Sequence, residues 1–290
     1  MNFRGHQPAW RQALSYGALL LFALLYIFPF LITVATSFKT DADATAHPLD
    51  LLPHPATVQA WQEIFGAGGS ASGLSIDFPR WLMNSAIVAV AITVGRVALD
   101  SMAGYALARL NFRGRKLVFG LIIATLAVPG VVLLIPRFLM LKQLGMYNTY
   151  WGMILPICAD ATGIFLMRQF FLQVPVVLEE SGRIDGASAW QIYWRIVLPV
   201  VRAGLITLTI ISFQGSWNEF QFYEIATVPG GHLQTLTTGL ALITSGGLSA
   251  GNQFPLKLGG AALTILPIAV IFFVLQKYIV RGRLEGAVKG

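Results

Sequence analysis

The segment Leu178-Glu179-Glu180-Ser181-Gly182-Arg183-Ile184-Asp185-Gly186-Ala187 is a charged insertion in an otherwise apolar chain, and Ile196-Val197-Leu198-Pro199 follows it. It lies between two apolar stretches, each close to the ~20 residues that a helix needs to cross a bilayer. The arrangement predicts two membrane-spanning helices joined by a short, charged segment at the membrane surface.

Within this segment the residue types favour a short helix followed by a turn. Glu179 and Arg183 are four residues apart and can pair on the exposed side of a helix. Ser181 and Gly182 are small, which would let another protein approach the helix backbone closely. Gly186 is predicted to end the helix, because glycine adopts the left-handed conformation of a helix cap without penalty.

Composition indicates a membrane protein. Of the 290 residues, 56% are hydrophobic and 11% are charged, and the mean hydropathy is +0.68. A soluble domain carries about 25% charged residues, so this chain has too little polar surface to cover a water-exposed globule. The net charge of +7 does not indicate nucleic acid, because the basic residues lie at the ends of apolar stretches. The single cysteine, Cys158, excludes an internal disulfide and a thiol metal cluster.

Six apolar stretches have the length of transmembrane helices. Their hydrophobic residues run continuously instead of alternating, which favours helices over barrel strands. The predicted fold is an all-α polytopic membrane protein with spans at residues 13–36, 81–107, 117–139, 151–171, 205–222 and 258–280. One transmembrane domain would cover residues 13–280 and include the charged loop at 173–200, with tails at 1–12 and 281–290. Pro129 and Pro136 predict a kink in the third span.

The distribution of Lys and Arg predicts the orientation. With the N-terminus inside, fourteen of the 20 basic residues fall on the cytoplasmic side, five on the opposite side, and Arg96 within a span. Basic residues concentrate on the cytoplasmic side of membrane proteins, so both tails and the 173–200 loop are predicted to be cytoplasmic. Residues 39–80 and 223–257 then lie outside, where loops of this size can receive a partner.

The 173–200 loop resembles the cytoplasmic EAA loop of ABC-transporter permeases. The match rests on residues at the family spacing, namely Glu180, Asp185, Gly186, Ala187, Ile196, Leu198 and Pro199. The chain departs from the family at Ser181-Gly182, where two alanines are usual. In that family the loop forms a helix that docks in a groove of a separate ATPase subunit. The resemblance implies ATPase-coupling residues at Glu179, Glu180, Ser181, Gly182, Asp185, Gly186 and Ala187.

Three further segments resemble the maltose-type carbohydrate importers, in particular the shorter of their two permeases. They are residues 105–115 (YALARLNFRGR), 217–220 (WNEF) and 286–290 (GAVKG). The resemblance implies a multi-pass protein of the bacterial cytoplasmic membrane. Its partners would be a second homologous permease, two copies of a cytoplasmic ATPase and an extracytoplasmic sugar-binding protein. It also implies that this chain has no catalytic residue, metal or cofactor, since ATP and Mg belong to the ATPase.

Polar residues inside the spans are costly and therefore informative. Arg96 and Asp100 are four residues apart in the second span, and they are predicted to neutralise each other toward the bundle interior. Asp160 in the fourth span has no obvious local partner, so it is a candidate for the translocation path or for a bond to another helix. Asn218 and Glu219 in the fifth span are candidates either for contacts with sugar hydroxyls or for capping the outer end of the span.

No motif in the sequence supports an enzyme, since there is no P-loop, no His-Glu-x-x-His and no nucleophile elbow. The favoured function is the permease of an ATP-driven importer for a di- or oligosaccharide. Glycerol 3-phosphate or a related phosphodiester is the alternative substrate, although such an anion needs an unpaired cation and Arg96 is predicted to be neutralised. A secondary transporter driven by an ion gradient predicts interrupted helices and inverted repeats, but it leaves the EAA-like loop unexplained. An assembly subunit with no substrate is a third alternative.

Overall fold

The computed structural model describes residues 9–66, 76–245 and 253–287, and every regular element within these ranges is helical. Residues 1–8 and 288–290, which belong to the two predicted tails, lie outside the described residues. In chain order the helices are α1 Ala9–Thr36, α2 Asp41–Ala46, α3 Gln59–Ile64, α4 Phe78–Arg109, α5 Arg115–Thr125, α6 Leu134–Gln143, α7 Tyr150–Ile154, α8 Ala161–Leu172, α9 Val176–Ile184, α10 Ala189–Gln191, α11 Leu198–Val200, α12 Arg202–Trp217, α13 Gln221–Ala226, α14 Leu236–Ser245 and α15 Phe254–Ala287. The predicted all-α class is confirmed.

Three of these helices, α1, α4 and α15, are continuous, apolar and long enough to cross a membrane. Three further candidates are pairs of helices that bend sharply at a short break. They are Arg115–Thr125 with Gly130–Gln143 (97°), Tyr150–Ile157 with Ala161–Leu172 (45°), and Ala189–Val200 with Arg202–Trp217 (82°). The described residues therefore contain three continuous candidate spans, or up to six if each bent pair is one span.

The bends differ in detail from the sequence-based expectation. Pro129 begins a 3-10 turn, Gly130–Leu133, between α5 and α6, and without an N–H it cannot continue α5. Pro136 lies in the first turn of α6, where proline is tolerated. Within the predicted fifth span, 205–222, the helix is interrupted, because α12 stops at Trp217 and α13 is a separate short helix.

The chain forms two compact units, and the first comprises residues 1–77 and 243–265. In this unit the chain leaves α1 through a polar elbow formed by Lys39, Asp43, His47 and His54. Lys39 is buried and its Nζ donates to the His47 carbonyl at 2.6 Å. The Asp43 carboxylate accepts from the His54 N–H at 2.8 Å and lies 3.1 Å from His47 Nδ1. The His54 hydrogen bond is the main cause that lowers the pKa of Asp43 below its ordinary value.

The second unit comprises residues 78–242 and 266–290, and α4, α8 and α12 pack together in it. Tyr105 of α4 meets Phe171 of α8 edge-on with ring centroids 5.5 Å apart, and Tyr193 lies 5.1 Å from Tyr105. The Tyr193 hydroxyl also shares a 2.8 Å hydrogen bond with Ser101 Oγ. Lipid supplies little hydrophobic force between helices, so close packing and such bonds hold a bundle together. Because Tyr193 belongs to the 173–200 loop, this cluster anchors that loop to α4 and α8.

Candidate functional site

The predicted surface helix is present as α9, and backbone bonds define where it ends. Gly186 has a φ of +77°, a left-handed conformation that glycine adopts at little cost. The Ala187 N–H donates to the Gly182 carbonyl at 2.9 Å, and the Gly186 N–H donates to the Arg183 carbonyl at 3.0 Å. This pair of bonds is the Schellman motif, which satisfies carbonyls at a helix end. The left-handed turn predicted at Gly186 is confirmed.

After this turn the chain doubles back along α9. Ser188 and Gln191 each bond the other's backbone N–H through their side chains, which fixes the start of α10. Residues Ile192–Val197 then form a π-helical turn that leads into α11. The side chains of Ile192 and Ile196 face α9 from this turn.

Gly182 lies on the inner face of α9, and its lack of a side chain serves the packing of this chain itself. A Cβ at Gly182 would lie 2.6 Å from Ile196 Cδ1 and 3.4 Å from Ile192 Cγ1. The interpretation of Gly182 as a contact for another protein is therefore corrected. Ser181 is exposed, and its Oγ donates to the Val177 carbonyl of the same helix at 2.9 Å.

Glu179 is buried, in contrast to the exposed pair predicted with Arg183. Its side chain is 3% exposed, and its Oε1 lies 3.1 Å from Nε of Arg109 at the end of α4. Arg183 remains 60% exposed, with Nη2 3.8 Å from the other carboxylate oxygen. Arg109 also donates to the Phe171 carbonyl at 2.6 and 3.0 Å and to the Val174 carbonyl. Arg109 thus ties α9 and the end of α8 to α4.

Arg96 and Asp100 have separate partners. Arg96 Nε donates to the Ile157 carbonyl at 2.8 Å, and Asp100 Oδ1 accepts from the Asp160 backbone N–H at 3.0 Å. Among the described residues they form no ion pair within 4 Å of each other, and their mutual neutralisation across the helical face stays a prediction. The break between Tyr150–Ile157 and Ala161–Leu172 lies beside them and offers each charged group a backbone partner.

The three path candidates all lie at helix ends. Asp160 caps α8, since its side chain accepts from the Gly163 N–H at 3.2 Å. Asn218 is exposed at the C-terminal cap of α12. The Glu219 carboxylate accepts from the Phe222 N–H at 2.9 Å at the start of α13, and its carbonyl accepts from Thr237 Oγ1. These bonds account for Asp160 and Glu219 as caps, and a role in a path remains a prediction.

Comparison with known proteins gives a family for this arrangement. The family model described as "Binding-protein-dependent transport system inner membrane component" matches residues 100–284, more than half of the chain. The chain belongs to this family. It is therefore a transport component of a membrane, and we refer to it below as the permease.

Two curated relatives resemble the permease over nearly their whole length. The sn-glycerol-3-phosphate transport system permease protein UgpE of Yersinia pestis is 33% identical over 92% of this chain and 94% of that protein. The arabinooligosaccharides transport system permease protein AraQ of Bacillus subtilis (strain 168) is 30% identical over 98% and 99%. A chain in the crystal structure of a bacterial ABC transporter involved in the import of the acidic polysaccharide alginate shares the fold. Its TM-score is 0.77 with 21% identity, over 96% of the permease and 99% of that chain.

The outer face of the permease's α9 is exposed and combines charged with apolar groups. Glu180, Ser181 and Asp185 are exposed, and Ile184 beside them is 86% exposed. Trp190 of α10 and Trp194 of the π-helical turn stack with their ring centroids 6.1 Å apart, and both are more than half exposed. Such a surface suits a protein groove that has both donors and an apolar floor.

A cavity of about 530 Å³ lies where α4 and α7 begin in the permease, beside His232 and Leu233. Its lining includes the aromatic rings of Tyr150 and Trp151 together with polar groups of Asn148, Thr149 and His232. Asn84 shapes one wall, because its side chain bonds the Tyr150 hydroxyl at 2.6 Å and the carbonyls of His232 and Gln234. The volume falls in the range of small-molecule sites.

Arg109 is the functional residue that the sequence-based reasoning did not identify. As a basic residue at the end of an apolar stretch, Arg109 fits the orientation rule for Lys and Arg, and that rule requires no specific partner. Its contact with Glu179 joins residues that are far apart in sequence, and no spacing rule connects them.

Proposed function

We propose that the permease is one subunit of an ATP-driven importer that carries a sugar, a di- or oligosaccharide, across the bacterial cytoplasmic membrane. The observation that carries the proposal is the two-sided construction of α9. Its inner face is fastened by buried Glu179 and Gly182, and its outer face exposes Glu180, Ile184 and Asp185. A helix held on one side and open on the other can receive force from a second protein and pass it to the spans.

In this proposal the ATPase binds the outer face of α9 and the turn after it. The exposed coupling residues are Glu180, Ser181, Asp185 and Gly186, followed by Ala187. Glu179 and Gly182 contribute from inside, because they fix the helix that the ATPase contacts. ATP and Mg belong to two copies of that ATPase, and a second permease and an extracytoplasmic binding protein complete the importer. Membership of a binding-protein-dependent transport family supports this set of partners.

We propose six spans with both termini in the cytoplasm, and each bent pair counts as one span. The support is the excess of basic residues on one side and the three continuous plus three bent candidate spans. Topology reporters fused after residues 60, 145 and 240 should give an outside signal. Reporters after residues 114, 185 and 290 should give an inside signal, and an inside signal at 60 or 240 would contradict the topology.

A phosphorylated or otherwise anionic solute is the second candidate substrate, and one observation favours it. Arg96 donates to the Ile157 carbonyl and makes no direct contact with the Asp100 carboxylate, which weakens the case from neutralisation against an anion. Glycerol 3-phosphate is named for the relative UgpE, and arabinooligosaccharides are named for AraQ. The sugar proposal draws on AraQ and on the aromatic and polar lining of the 530 Å³ cavity, which suits sugar rings and hydroxyls.

The secondary-transporter alternative is less well supported. Interrupted helices, which it predicts, are present. However, one carbonyl and one N–H at the break of the fourth span are already bonded to side chains of α4 and are not available to an ion. This alternative also gives no role to the fastened and exposed faces of α9.

Reconstitution tests the function. The permease, co-purified with the ATPase and second permease encoded beside it, is placed in liposomes with the binding protein outside. ATP inside the liposomes should drive accumulation of a labelled arabinooligosaccharide without any ion gradient. Accumulation of glycerol 3-phosphate instead would favour the second substrate. Uptake driven by a proton or sodium gradient in the absence of ATP would contradict the proposal.

A further inference from the structure

The break in the fourth span leaves backbone carbonyl and N–H groups without helical partners, and side chains of α4 bond to two of them. A helix that stops inside a membrane leaves carbonyls at its end and N–H groups at the start of the next helix, and lipid cannot satisfy either. Here the first half ends in the 3-10 turn Leu155–Ile157 and the second half is α8. The Arg96 guanidinium donates a hydrogen bond to the Ile157 carbonyl of the first half. The Asp100 carboxylate accepts one from the Asp160 N–H at the start of α8.

The signs of the two side chains match the ends that they contact. A helix carries partial negative charge at its C-terminus and partial positive charge at its N-terminus. Arg96 is the cation and contacts the Ile157 carbonyl, whereas Asp100 is the anion and contacts the N–H of Asp160, the cap of α8. The spacing of four residues places both groups on one face of α4, as a device that spans a break requires.

Close packing surrounds the same contacts. A Cβ on Gly95 would lie 3.1 Å from Cys158 Cβ, so the break lies directly on α4. A Cβ on Gly163, in the first turn of α8, would lie 2.1 Å from Asp100 Oδ2. Asp100 is fully buried, and its second oxygen lies against Gly163 in the first turn of α8. Close contacts at Gly95 and Gly163 therefore hold both sides of the break against α4.

We infer that Arg96 and Asp100 are positioning residues that fasten the break of the fourth span to the second span. Together with Arg109 and Glu179 at the inner end, they hold α8 to α4 at both of its ends. Motion received by α9 then passes to α4 and α8 as one body, and the break is not a hinge. The consequence for transport rests on the proposed function, whereas the fastening itself does not.

One substitution separates this inference from mutual neutralisation. Asp100→Asn keeps an oxygen that can accept from the Asp160 N–H but removes the charge. If fastening is the role of Asp100, Asn should substitute well and Asp100→Leu should not. If Asp100 served to neutralise Arg96, both substitutions would leave a cation uncompensated in the span and both would fail.

Distance measurements test the fastening without any assay of transport. Nitroxide labels at the exposed positions Val94 of α4 and Thr162 of α8 are placed in the full chain, in a Cys158→Ser background, in lipid nanodiscs with its co-purified subunits. The distance distribution should be equally narrow in the parent and in Asp100→Asn, and broader or shifted in Asp100→Leu. An unchanged distribution in Asp100→Leu, or an equal change in Asp100→Asn, would overturn the inference.

The transport arm uses the ratio of substrate-stimulated to basal ATP hydrolysis, normalised to folded complex. A purely structural defect lowers both rates together, so a fall in the ratio reports positioning. Asp100→Leu and Arg96→Met should each lower the ratio about tenfold, as expected for a lost buried hydrogen bond to a charged group, and the double variant should lower it further. Asp100→Asn and the neighbouring control Leu99→Met should stay within about twofold.

Recovery of the ratio in the double variant would show that the two residues neutralise each other and would overturn the inference. If the label distances behave as expected but the parent complex shows no ATP-driven uptake, the proposed function fails and the fastening stands.

Discussion

Two short helices, α8 and α5, each form one half of a bent helix pair, but their ends have opposite environments. Asp160 caps the start of α8, and its backbone N–H donates a hydrogen bond to the Asp100 carboxylate. At the other end of α8, the Phe171 carbonyl accepts a hydrogen bond from Arg109. The start of α5 follows Gly114 with no side-chain cap, and none of its residues is buried in the described part of the permease. Its lateral contacts with α8 centre on Phe119, which stacks with Phe165 at 6.4 Å and has the Arg168 guanidinium over its ring at 4.0 Å.

The difference shows which part of the permease is complete by itself. A break whose backbone groups are bonded to a neighbouring helix needs no outside partner. The third span instead leaves apolar side chains exposed after its break, with Val131 at 58%, Val132 at 64% and Ile135 at 73%. Lipid or another chain must cover this surface. We therefore expect substitutions around α8 to damage the permease itself and matched substitutions around α5 to be tolerated.

The largest effect should come from Arg109→Met. The change leaves the Glu179 carboxylate buried without its cation and removes the donor to two carbonyls at the end of α8. Breaking a buried pair from one side costs about 3–5 kcal/mol, so we expect the free energy of unfolding to fall by that amount. Unfolding in mixed detergent micelles, followed by intrinsic fluorescence, measures it.

Arg113→Met is the matched control for Arg109→Met, because Arg113 is an exposed arginine just beyond α4. The double change Arg109→Met with Glu179→Leu should recover part of the loss, since it removes the stranded carboxylate. Equal stability of Arg109→Met and Arg113→Met would show that the inner end of α8 is not held as the distances indicate.

A smaller effect is expected from Gly163→Ala. The added methyl group would meet Asp100 Oδ2 at 2.1 Å and Leu208 Cδ1 at 2.9 Å, so these side chains or α8 itself must shift. Overpacking of this kind costs about 1–3 kcal/mol. Gly120→Ala in α5 is the matched control, because no atom lies within 4 Å of the added methyl. If both alanine variants unfold at the same temperature, α8 is no more tightly packed than α5.

The same comparison explains what the sequence could reveal. Local rules predicted the end of α9 at Gly186, because backbone preference alone determines a left-handed cap. They also placed Arg96 and Asp100 on one face of α4. They could not show that Arg96 and Asp100 would each bond a backbone group at the break before α8, because these contacts join residues about 60 positions apart in the sequence. A signal for the break was present, because Asp160 precedes small residues and Pro156 lies just before it, a pattern typical of a helix cap.

Local sequence rules also could not predict which residues of α9 are buried. In a helix of nine residues, the helical period gives no reliable inner face. Arg109 determines that face from a distant part of the chain, and the π-helical turn determines where Ile192 and Ile196 touch Gly182. The charge of Glu179 suggested exposure, but burial of a charge is possible wherever a partner is present.

The next effect is local to the turn after α9 and separates function from stability. Gly186 and Gly230 both have left-handed φ values, +77° and +72°, with no atom within 4 Å of an added Cβ. Valine at either position therefore costs backbone strain of about 1–2 kcal/mol. We expect equal losses of stability, but only Gly186→Val should lower substrate-stimulated ATP hydrolysis and uptake, because only that turn faces the proposed ATPase.

Asp185→Lys tests the same surface by reversing a charge instead of straining the backbone. Asp185 is exposed, so its replacement should leave folding and membrane insertion unchanged while coupled hydrolysis and uptake fall together. Normal stimulated hydrolysis with Asp185→Lys and Gly186→Val would mean that α9 is only a surface helix.

The smallest effect concerns the polar elbow after α1, where the Asp43 carboxylate accepts a backbone hydrogen bond. The hydrogen bond from the His54 N–H holds the pKa of Asp43 below its ordinary value of 3.8. A carboxyl group whose pKa is lowered by folding contributes stability above the unfolded value and loses it as the pH falls through the folded value. The stabilising contribution of Asp43 should therefore be complete at pH 6 and should disappear only below about pH 4, near the unfolded pKa of an aspartate. Asp43→Asn should lower the thermal midpoint at pH 6, and its difference from the parent should shrink toward pH 3, whereas the exposed control Asp50→Asn should match the parent throughout. A difference that stays constant from pH 6 to pH 3 would show that the Asp43 bonds act through shape and not through charge.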